Sequence, residues 1–260
     1  MGSINNALHP TCAELSKRQI GCIVSELCAY FRKLDQCIIR LYQIRLMAII
    51  LNADKALIFR ITHIANVPWI LRNGLHCKNA PTNDPNFVSI GNPELILRRA
   101  TKNVPVPPGG SLSSYVPFYF TPFSMMMYNI HTGYGGIRQF PNAEIVILVS
   151  SLRSLQDSGI QAVFTDRHAY LKMAQFYNSL DRLDEIDWEI LRQQDFRRDP
   201  DDPEKTDRYQ AEALIHRHLP VELLAGIVCY GENEKRTIAR QQEELGMQLN
   251  IVAQPSWYFR

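Results

Sequence analysis

Glu212 stands between two alanines at the start of an apolar run, in the stretch DRYQAEALIHRHLP, residues 207–220. A carboxylate is rarely buried without a partner, because removing its charge from water costs more than packing returns. Two interpretations follow. The acid lies on the solvated face of a strand, or it is held in a cleft, where a fixed negative charge stabilises a positive charge that develops on a substrate.

Three further stretches carry residue types that suit an anionic and aromatic ligand. They are a strand start with an arginine (FRITHI, 59–64), a basic loop (LRRATKNVPVPPGG, 97–110) and an aromatic strand (YVPFYF, 115–120). Together with Glu212, these stretches contain the groups needed to hold a pyrophosphate, to stack against a flat ring and to stabilise a positive sugar carbon.

The sequence gives little support for a nucleotide-binding motif, a metal site or a hydrolase. No G-x-G-x-x-G follows a strand and no G-x-x-x-x-G-K occurs, so neither the dinucleotide-binding fold nor the P-loop is indicated. The glycine-rich HTGYGG, residues 131–136, predicts a turn. His216 and His218 would share one face of a strand, but no third ligand is near, which indicates surface histidines rather than a metal site. A serine or cysteine hydrolase stays open, since triads assemble across a fold, although no nucleophile elbow occurs.

The elements that must position these residues can be inferred from apolar spacing and turn residues. Strands and helices do not alternate regularly, which predicts an α+β fold with a mixed, split sheet and flanking helices. The long loop over 76–112, with a short helix around PELILRRA, is expected to be functional. The predicted strands are KALIFRITHI (55–64), YVPFYF (115–120), AEIVILVSS (143–151), AVFTDRH as a strand and turn (162–168), RYQAEALI (208–215), LAGIVCY (224–230) and LNIVAQPSWYF (249–259). The predicted helices are NVPWILRNG (66–74) with Asn66 as its cap, a segment after Pro122, the stretch 168–196, and NEKRTIARQQEELG (233–246).

The first 46 residues differ from the rest of the chain. Their apolar positions follow helical spacing, with lysines and arginines between them, and predict an amphipathic helical extension before a main domain over 47–260. Four of the six cysteines fall there, and with no C-x-x-C pair all six are predicted to be free thiols. The extension is a partner-binding appendage, or upstream sequence that the domain does not need, since Met47 is a natural second start.

Composition is typical of a soluble globular protein, with 46% hydrophobic and 21% charged residues in 260. No apolar run approaches the roughly 18 to 20 residues that span a bilayer, and the first 30 residues lack the apolar segment and cleavage site of a signal peptide. The sequence therefore predicts a cytoplasmic protein that does not bind a membrane.

The net charge of +2 hides an uneven distribution. Residues 55–138 contain eight lysines and arginines against two acids, whereas residues 139–207 contain fourteen acids against eight bases. The folded protein is expected to have a positive and a negative side, and an anionic ligand or nucleic acid belongs near the positive side. A difference in sign between solvated faces with no function stays open as the alternative.

Five motifs, in one order, carry a resemblance to a known family. The sequence resembles the DarT family, toxins that ADP-ribosylate DNA, over about residues 55–260. The motifs are specific as a set, whereas the first 46 residues have no counterpart in the family pattern. The motifs are FRITHIANVPWILRNGL (59–75), RRATKNVPVPPGGSLSSYVPFYFTPFSMMMY (98–128), VFTDRH (163–168), YQAEALIHRHLP (209–220) and WYF (257–259).

The resemblance implies an ADP-ribosyltransferase fold, a split β-sheet with NAD in its cleft. It implies transfer of ADP-ribose from NAD to a base of single-stranded DNA, with no metal required; the acceptor is thymine in the larger branch of the family, which this sequence resembles more, and guanine in another. The partner it implies is a macrodomain antitoxin of the DarG type that removes the modification. Two alternatives stay open, namely the same fold acting on RNA or protein, and an inactive member that binds NAD or nucleic acid as a regulator.

The resemblance also assigns residues. Glu212 is expected to stabilise the oxocarbenium-like charge on the ribose, and Arg99 to hold the NAD phosphates, since the guanidinium pKa above about 12 makes arginine a poor base. His63 should face away from the cleft and make a structural hydrogen bond. The residues expected to bind NAD are Arg60, Ile61, Thr62, Trp69, Leu75, Arg99, Tyr119, Ser124 and Tyr128. Those expected to contact nucleic acid are Arg98, Lys102 and His168.

Overall fold

The structure is a computed structural model that describes residues 50–260. The predicted amphipathic extension, residues 1–46, and the predicted domain start at residue 47 lie outside the described residues. Across 50–260, none of the helices combines the length and the apolar character that crossing a bilayer requires.

The described residues form ten strands and seven α-helices, joined by short 3₁₀ helices. The strands are β1 (Leu57–His63), β2 (Leu75–His76), β3 (Tyr115–Tyr119), β4 (Ile145–Ser151), β5 (Ala162–Thr165), β6 (Phe176–Tyr177), β7 (Glu212–His216), β8 (His218–Leu219), β9 (Gly226–Cys229) and β10 (Ile251–Ala253). The α-helices are α1 (Val67–Asn73), α2 (Pro93–Arg99), α3 (Met125–Thr132), α4 (Leu152–Asp157), α5 (Trp188–Gln193), α6 (Lys205–Arg208) and α7 (Glu232–Glu244). The 3₁₀ helices span Ile64–Asn66, Leu112–Ser114, Tyr134–Gly136, Asn142–Glu144, Leu180–Glu185, Val221–Leu223 and Pro255–Trp257.

Eight strands form one mixed sheet in the order β10-β9-β4-β1-β3-β7-β5-β6. Every pairing in it is antiparallel except that of β9 with β10. β2 and β8 form a separate two-stranded sheet. The predicted α+β class with a mixed sheet and flanking helices is confirmed.

The large sheet is split between β1 and β3. β1 pairs with β4 along all seven of its residues, but with β3 only at Phe59 and Tyr119. Pro117 in β3 has no backbone N–H, so β3 offers one ladder donor fewer. The Arg60 side chain crosses the gap and donates from Nη1 to the Pro117 carbonyl at 2.8 Å. This missing ladder separates the two halves of the sheet at the place where the resemblance predicts the NAD cleft.

The core lies on both sides of β4, whose apolar run from Ile145 to Val149 is buried at every residue. A strand covered on both faces has a continuous apolar run rather than an alternating one, as this sequence does. At the end of α1, Gly74 has φ +73°, and a Cβ there would lie 2.5 Å from the Leu219 carbonyl oxygen. Only glycine fits where α1 turns into β2.

Several predicted elements differ from those observed. Residues 168–196 were predicted as helix, yet they contain turns, β6, a 3₁₀ helix and only the short α5. Their helical spacing arises because Leu183, Ile186 and Leu191 reach the core from a 3₁₀ helix, the segment after it and the short α5. The strand predicted from residue 208 begins at Glu212, after α6, and the closing strand covers only three residues.

Asn66 precedes α1 as predicted, but its side chain does not cap the helix. It donates instead to Thr62 Oγ1 at 2.9 Å and exchanges hydrogen bonds with the backbone of Val88. Asn66 therefore ties the long loop after β2 to the end of β1. In the described part of the chain, Cys77 and Cys229 are free and buried, and the other four cysteines lie outside it.

Candidate active site

The Glu212 carboxylate is buried, with 2% of the residue exposed, at the first position of β7. Its partner in the sheet is Tyr119, at the end of β3 beside the split. Of the two interpretations that the sequence offered, the solvated face is therefore wrong. A buried charge must be compensated by its neighbours.

Arg99 supplies the compensating charge. Its Nη1 donates to Glu212 Oε1 at 3.0 Å, and its Nη2 lies 2.9 Å from Oε2, outside hydrogen-bonding geometry. The backbone N–H of Ala169 also donates to Oε1 at 3.0 Å, and His168 Nδ1 is 3.5 Å from the same oxygen. Both carboxylate oxygens thus face positive or donor groups.

These neighbours decide the charge of Glu212. Burial raises the pKa of the carboxyl, but Arg99, His168 and the Ala169 N–H lower it, and the net pKa is below the ordinary value. Burial lowers the pKa of Arg99, but the adjacent Glu212 raises it by more. The two residues therefore form an ion pair near neutral pH, which removes most of the desolvation penalty that either charge alone would suffer.

Three separate segments bring this pair together. Arg99 ends α2, which begins at Pro93 and is capped by the Asn92 side chain through the N–H groups of Glu94 and Leu95. Glu212 begins β7, and its N–H donates to Thr165 Oγ1 at the end of β5, at 3.2 Å. These contacts place the charges where α2, β5 and β7 meet.

The turn after β5 supplies the Ala169 N–H. Thr165 Oγ1 donates to the Arg167 carbonyl at 2.6 Å, the N–H of His168 donates to Asp207, and Tyr170 N–H donates to His168 Nδ1. Sequence reasoning missed both Thr165 and Ala169. The motif VFTDRH contains Thr165, but a backbone N–H is present at almost every position and gives no signal in a sequence.

A second cation lies beside the pair. Burial lowers the pKa of Arg60 to about 10, with Tyr119 opposing and Arg99 adding to the decrease. Burial also raises the pKa of Tyr119 to about 12, so its phenol stays protonated. Arg60 Nε is buried and has no hydrogen-bond partner among residues 50–260. The cleft thus contains two guanidinium groups and one carboxylate.

The remaining residues expected to bind NAD occupy varied positions. Thr62 and Ile61 are buried on β1, and Thr62 Oγ1 is already bonded to Asn66. Half-buried Trp69 on α1 contacts the His76 ring at 5.4 Å, and Leu75 is buried in β2.

Two more of these residues lie at α3. Ser124 is buried and caps the helix through the Met127 N–H, whereas Tyr128 is 37% exposed and packs on Phe196 and Phe259. The structure brings Arg99 and Tyr119 to Glu212, and it brings Arg60 to Tyr119 and Arg99. It gives no contact from Trp69, Leu75, Ser124 or Tyr128 to the Glu212 carboxylate.

The residues expected to contact nucleic acid flank the site. Arg98 is exposed and pairs with Glu94 on α2, while Lys102 donates to the Leu171 carbonyl at 3.3 Å. His63 bonds Glu144 at 3.0 Å, which is the structural role expected of it. Residues 50–260 contain no group of three or more side chains suited to a metal ion.

Comparison with known proteins agrees with this geometry. A family model matches residues 59–259, and the family is described as "ssDNA thymidine ADP-ribosyltransferase, DarT". A DNA ADP-ribosyl transferase of Escherichia coli O127:H6 is 54% identical over 209 residues, which cover 80% of this chain and 96% of the relative.

Solved structures share the fold. Thermus sp. 2.9 DarT in complex with ADP-ribosylated ssDNA has a TM-score of 0.73 and 31% identity, covering 79% of this chain and 97% of that one. The same protein in complex with NAD⁺ gives a TM-score of 0.67, with 32% identity over 79% of this chain and 98% of that one. Thermosipho africanus DarTG in complex with ADP-ribose has a TM-score of 0.62 at 16% identity, covering 78% of this chain and 51% of that one.

The split mixed sheet, with a buried arginine–glutamate pair beside the split, defines this protein as an ADP-ribosyltransferase. Its class is the NAD-dependent DNA ADP-ribosyltransferases. The chain belongs to the DarT family.

Proposed function

We propose that this protein transfers ADP-ribose from NAD to a thymine of single-stranded DNA, releasing nicotinamide, with Glu212 and Arg99 as its catalytic residues. The observation that carries the proposal is the ionised Glu212, held by Arg99 and the Ala169 N–H beside the split of the sheet. The family match over residues 59–259 supports the choice of thymine and of single-stranded DNA.

The residues around the cleft suit NAD. In the described part of the chain, Arg60 Nε is buried without a hydrogen-bond partner, and Arg99 Nη2 lies 2.9 Å from Glu212 Oε2 without hydrogen-bonding geometry, which is unusual for charged donors. Phosphate oxygens satisfy such donors well. Arg60 and Arg99 would hold the pyrophosphate. Ile61, Thr62, Trp69, Leu75, Tyr119, Ser124 and Tyr128 complete the proposed NAD site.

NAD supplies the electrophile, because breaking its nicotinamide–ribose bond leaves positive charge on the ribose carbon that the acceptor base then attacks. Glu212 is negatively charged near neutral pH and stabilises that charge more in the transition state than in the ground state. Ala169 and Arg99 fix the carboxylate in advance, so that little reorganisation is required during the reaction.

The acceptor strand would lie along the outer rim of this cleft. Arg98 is exposed beside Arg99 on α2 and is available to a phosphate once it leaves Glu94. Lys102, three residues after α2, donates to the Leu171 carbonyl in the segment after β5, and His168 in that segment lies beside Glu212 on β7. We assign these three residues to the nucleic-acid contact, with Arg98 the most accessible.

We also propose a macrodomain antitoxin of the DarG type as the partner of this protein. The structural match to a DarTG protein supports this choice. Because NAD and DNA are both present in the cytoplasm, we place the reaction there. Co-expression with such an antitoxin should restore the growth of cells that make the wild-type protein.

Transfer of labelled ADP-ribose to defined acceptors tests the function. Purified protein and its Glu212→Ala variant are incubated with labelled NAD and, separately, thymine-containing single-stranded DNA, its duplex, RNA and a protein mixture. The exposed Glu243→Ala serves as the matched control. With the wild type and with the Glu243→Ala control, label should be transferred only to single-stranded DNA. Label on RNA or protein instead would overturn the acceptor, and NAD binding without any transfer would indicate a regulator.

A further inference from the structure

A pocket of about 210 Å³ lies near the open end of β5, apart from the Arg99–Glu212 pair. β6 pairs with β5 only at Phe164 and Thr165, which leaves the edge at Ala162 uncovered by a strand. Two prolines and three carboxamide side chains supply much of the pocket wall, and aliphatic side chains complete it. These residues are Pro107, Pro108, Gln156, Gln161 and Asn178.

The residues that line the pocket wall are uncharged. No lysine, arginine, aspartate or glutamate lines the pocket, so it suits neither a phosphate nor a cation. In the described part of the chain, the carboxamides of Gln156 and Gln161 make no side-chain hydrogen bond, and Asn178 uses only Nδ2, in a long 3.4 Å contact with Pro107. Each carboxamide offers a donor beside an acceptor.

That combination matches the edge of a nucleobase. Asparagine and glutamine read bases through paired donors and acceptors, and bases of single strands bind proteins splayed out from the stack. The Pro107–Pro108 segment gives a flat apolar wall. Its loop is fixed by the Tyr115 hydroxyl, which donates to the Gly109 carbonyl at 2.6 Å, and by Val104 N–H, which donates to Gly110 at 2.8 Å.

The pocket lies within reach of the catalytic residues. Ala162 precedes Thr165 by three residues on β5, or about 10 Å at roughly 3.3 Å per residue. Thr165 Oγ1 is bonded to the backbone of Glu212. A nucleotide spans at least about 3.4 Å of strand, so one to three nucleotides cover that distance. The loop that holds Pro107 also follows directly from Arg99.

We infer that this pocket binds one neutral nucleobase of the acceptor strand, a few nucleotides from the modified base, and that Gln156, Gln161 and Asn178 select it. The inference rests on the proposed transfer to single-stranded DNA and adds a sequence-reading site to it.

The test compares sequence preference rather than activity alone. The wild type, Gln156→Ala/Gln161→Ala and Asn178→Ala react with single-stranded oligonucleotides that carry one thymine in otherwise randomised, thymine-free flanks, and relative kcat/KM is read for each flanking base. Gln193→Ala, an exposed glutamine on α5 that bonds Glu189, is the control. The mutated residues are exposed, so melting temperatures should stay close to that of the wild type.

We expect the wild type and the control to prefer one base at a single flanking position. In the pocket variants this preference should fall about tenfold, within the range for removal of one good base contact, with KM for NAD unchanged. Flanking preferences that are identical in all four proteins would overturn the pocket, as would a change in KM for NAD without a change in preference. Absence of transfer to every oligonucleotide by the wild type would instead overturn the proposed function, and the pocket inference with it.

Discussion

At the scale of single residues, the protein keeps a carboxylate charged in a buried place by surrounding it with a guanidinium and a backbone donor. Arg99 and Ala169 donate to Glu212 Oε1, Arg99 also approaches Oε2, and His168 Nδ1 lies 3.5 Å from Oε1. Such a pair adds little net stability compared with a well-packed apolar pair, but breaking it leaves one charge buried alone. Its retention is explained by chemistry that needs the negative charge.

The stability of the fold should depend on the presence of both charges, that of Glu212 and that of Arg99. Glu212→Gln leaves Arg99 buried without its counter-charge, and we expect the free energy of unfolding to fall by about 3 to 5 kcal/mol. The double variant Glu212→Gln/Arg99→Met removes both charges and should regain most of that loss. Urea denaturation at pH 7 measures all three proteins. If Arg99→Met instead lowered the stability of Glu212→Gln further, as an independent substitution would, the pairing would be contradicted.

The same pair predicts a pH dependence. The pKa of Glu212 in the folded protein lies below its ordinary value of 4.5, so its stabilisation is present above pH 4.5 and is lost as pH falls through the folded pKa. The difference in unfolding free energy between the wild type and Glu212→Gln/Arg99→Met should shift against the wild type below pH 4.5. Denaturant titrations from pH 7 to pH 3 give this difference, and a constant value would contradict the lowered pKa.

At the scale of elements, the catalytic geometry depends on the joint between β5 and β7. Thr165 is fully buried at the end of β5, accepts from the Glu212 N–H and donates to Arg167, so one hydroxyl fixes both the strand and the turn that carries Ala169. The split between β1 and β3 then leaves Arg60 and Tyr119 facing the same cleft. Glu212, Arg60 and Tyr119 form a site because the strands place them together, and not because of their residue types alone.

Thr165→Val keeps the shape of the side chain and removes both hydrogen bonds. Leaving the buried Glu212 N–H unpaired should cost about 1 to 3 kcal/mol of stability. Because the turn also shifts, kcat should fall at least tenfold with KM for NAD little changed. Ser150→Ala, which removes a buried hydroxyl bonded to Leu223 at 2.8 Å on β4, is the control. A loss of stability in both variants with equal kcat would show that Thr165 has no positioning role.

Much of this architecture could be predicted from sequence, and the failures have physical causes. β1 and β4 were predicted almost to their ends, since β4 is a continuous apolar run and β1 is rich in β-branched and aromatic residues, as buried strands are. Residues 168–196 were predicted as helix because apolar residues in irregular backbone can mimic helical spacing. Glu212 and Arg99 were predicted through the family resemblance. Their mutual contact was not, since residues 113 positions apart meet only through the fold.

At the scale of the whole chain, the uneven charge found in the sequence predicts how a DNA strand approaches. Residues 55–138 carry the excess of lysine and arginine, and they include Arg60 and Arg99 in the cleft and the exposed Arg98 and Lys78 outside it. Residues 139–207 are acidic. A polyanion should therefore reach the cleft across the first segment, and in the second segment it should contact only positions without acidic side chains, such as the pocket wall at Gln156, Gln161 and Asn178.

The salt dependence of DNA binding tests this approach. Arg98→Gln and Lys78→Gln should each weaken single-stranded DNA binding, and the slope of log K against log salt should become shallower by about 0.7 for each phosphate that the variant no longer neutralises. Arg198→Gln, an exposed arginine in the acidic segment, should leave the slope unchanged. Fluorescence anisotropy from roughly 50 to 200 mM salt provides the slopes. If the slope of log K against log salt were the same for the wild type and all three variants, the DNA strand would not contact Arg98 or Lys78.

The most direct test of the account is single-turnover transfer from NAD to single-stranded DNA by Glu212→Gln. Glutamine keeps the shape and an oxygen for the Ala169 N–H but lacks the charge, so the transfer rate should fall about 100- to 1,000-fold at saturating NAD. The exposed Glu243→Gln should react at the wild-type rate. Folding of each protein is confirmed by circular dichroism at the assay temperature. Transfer by folded Glu212→Gln within a few-fold of the wild-type rate would contradict the catalytic role of the buried charge.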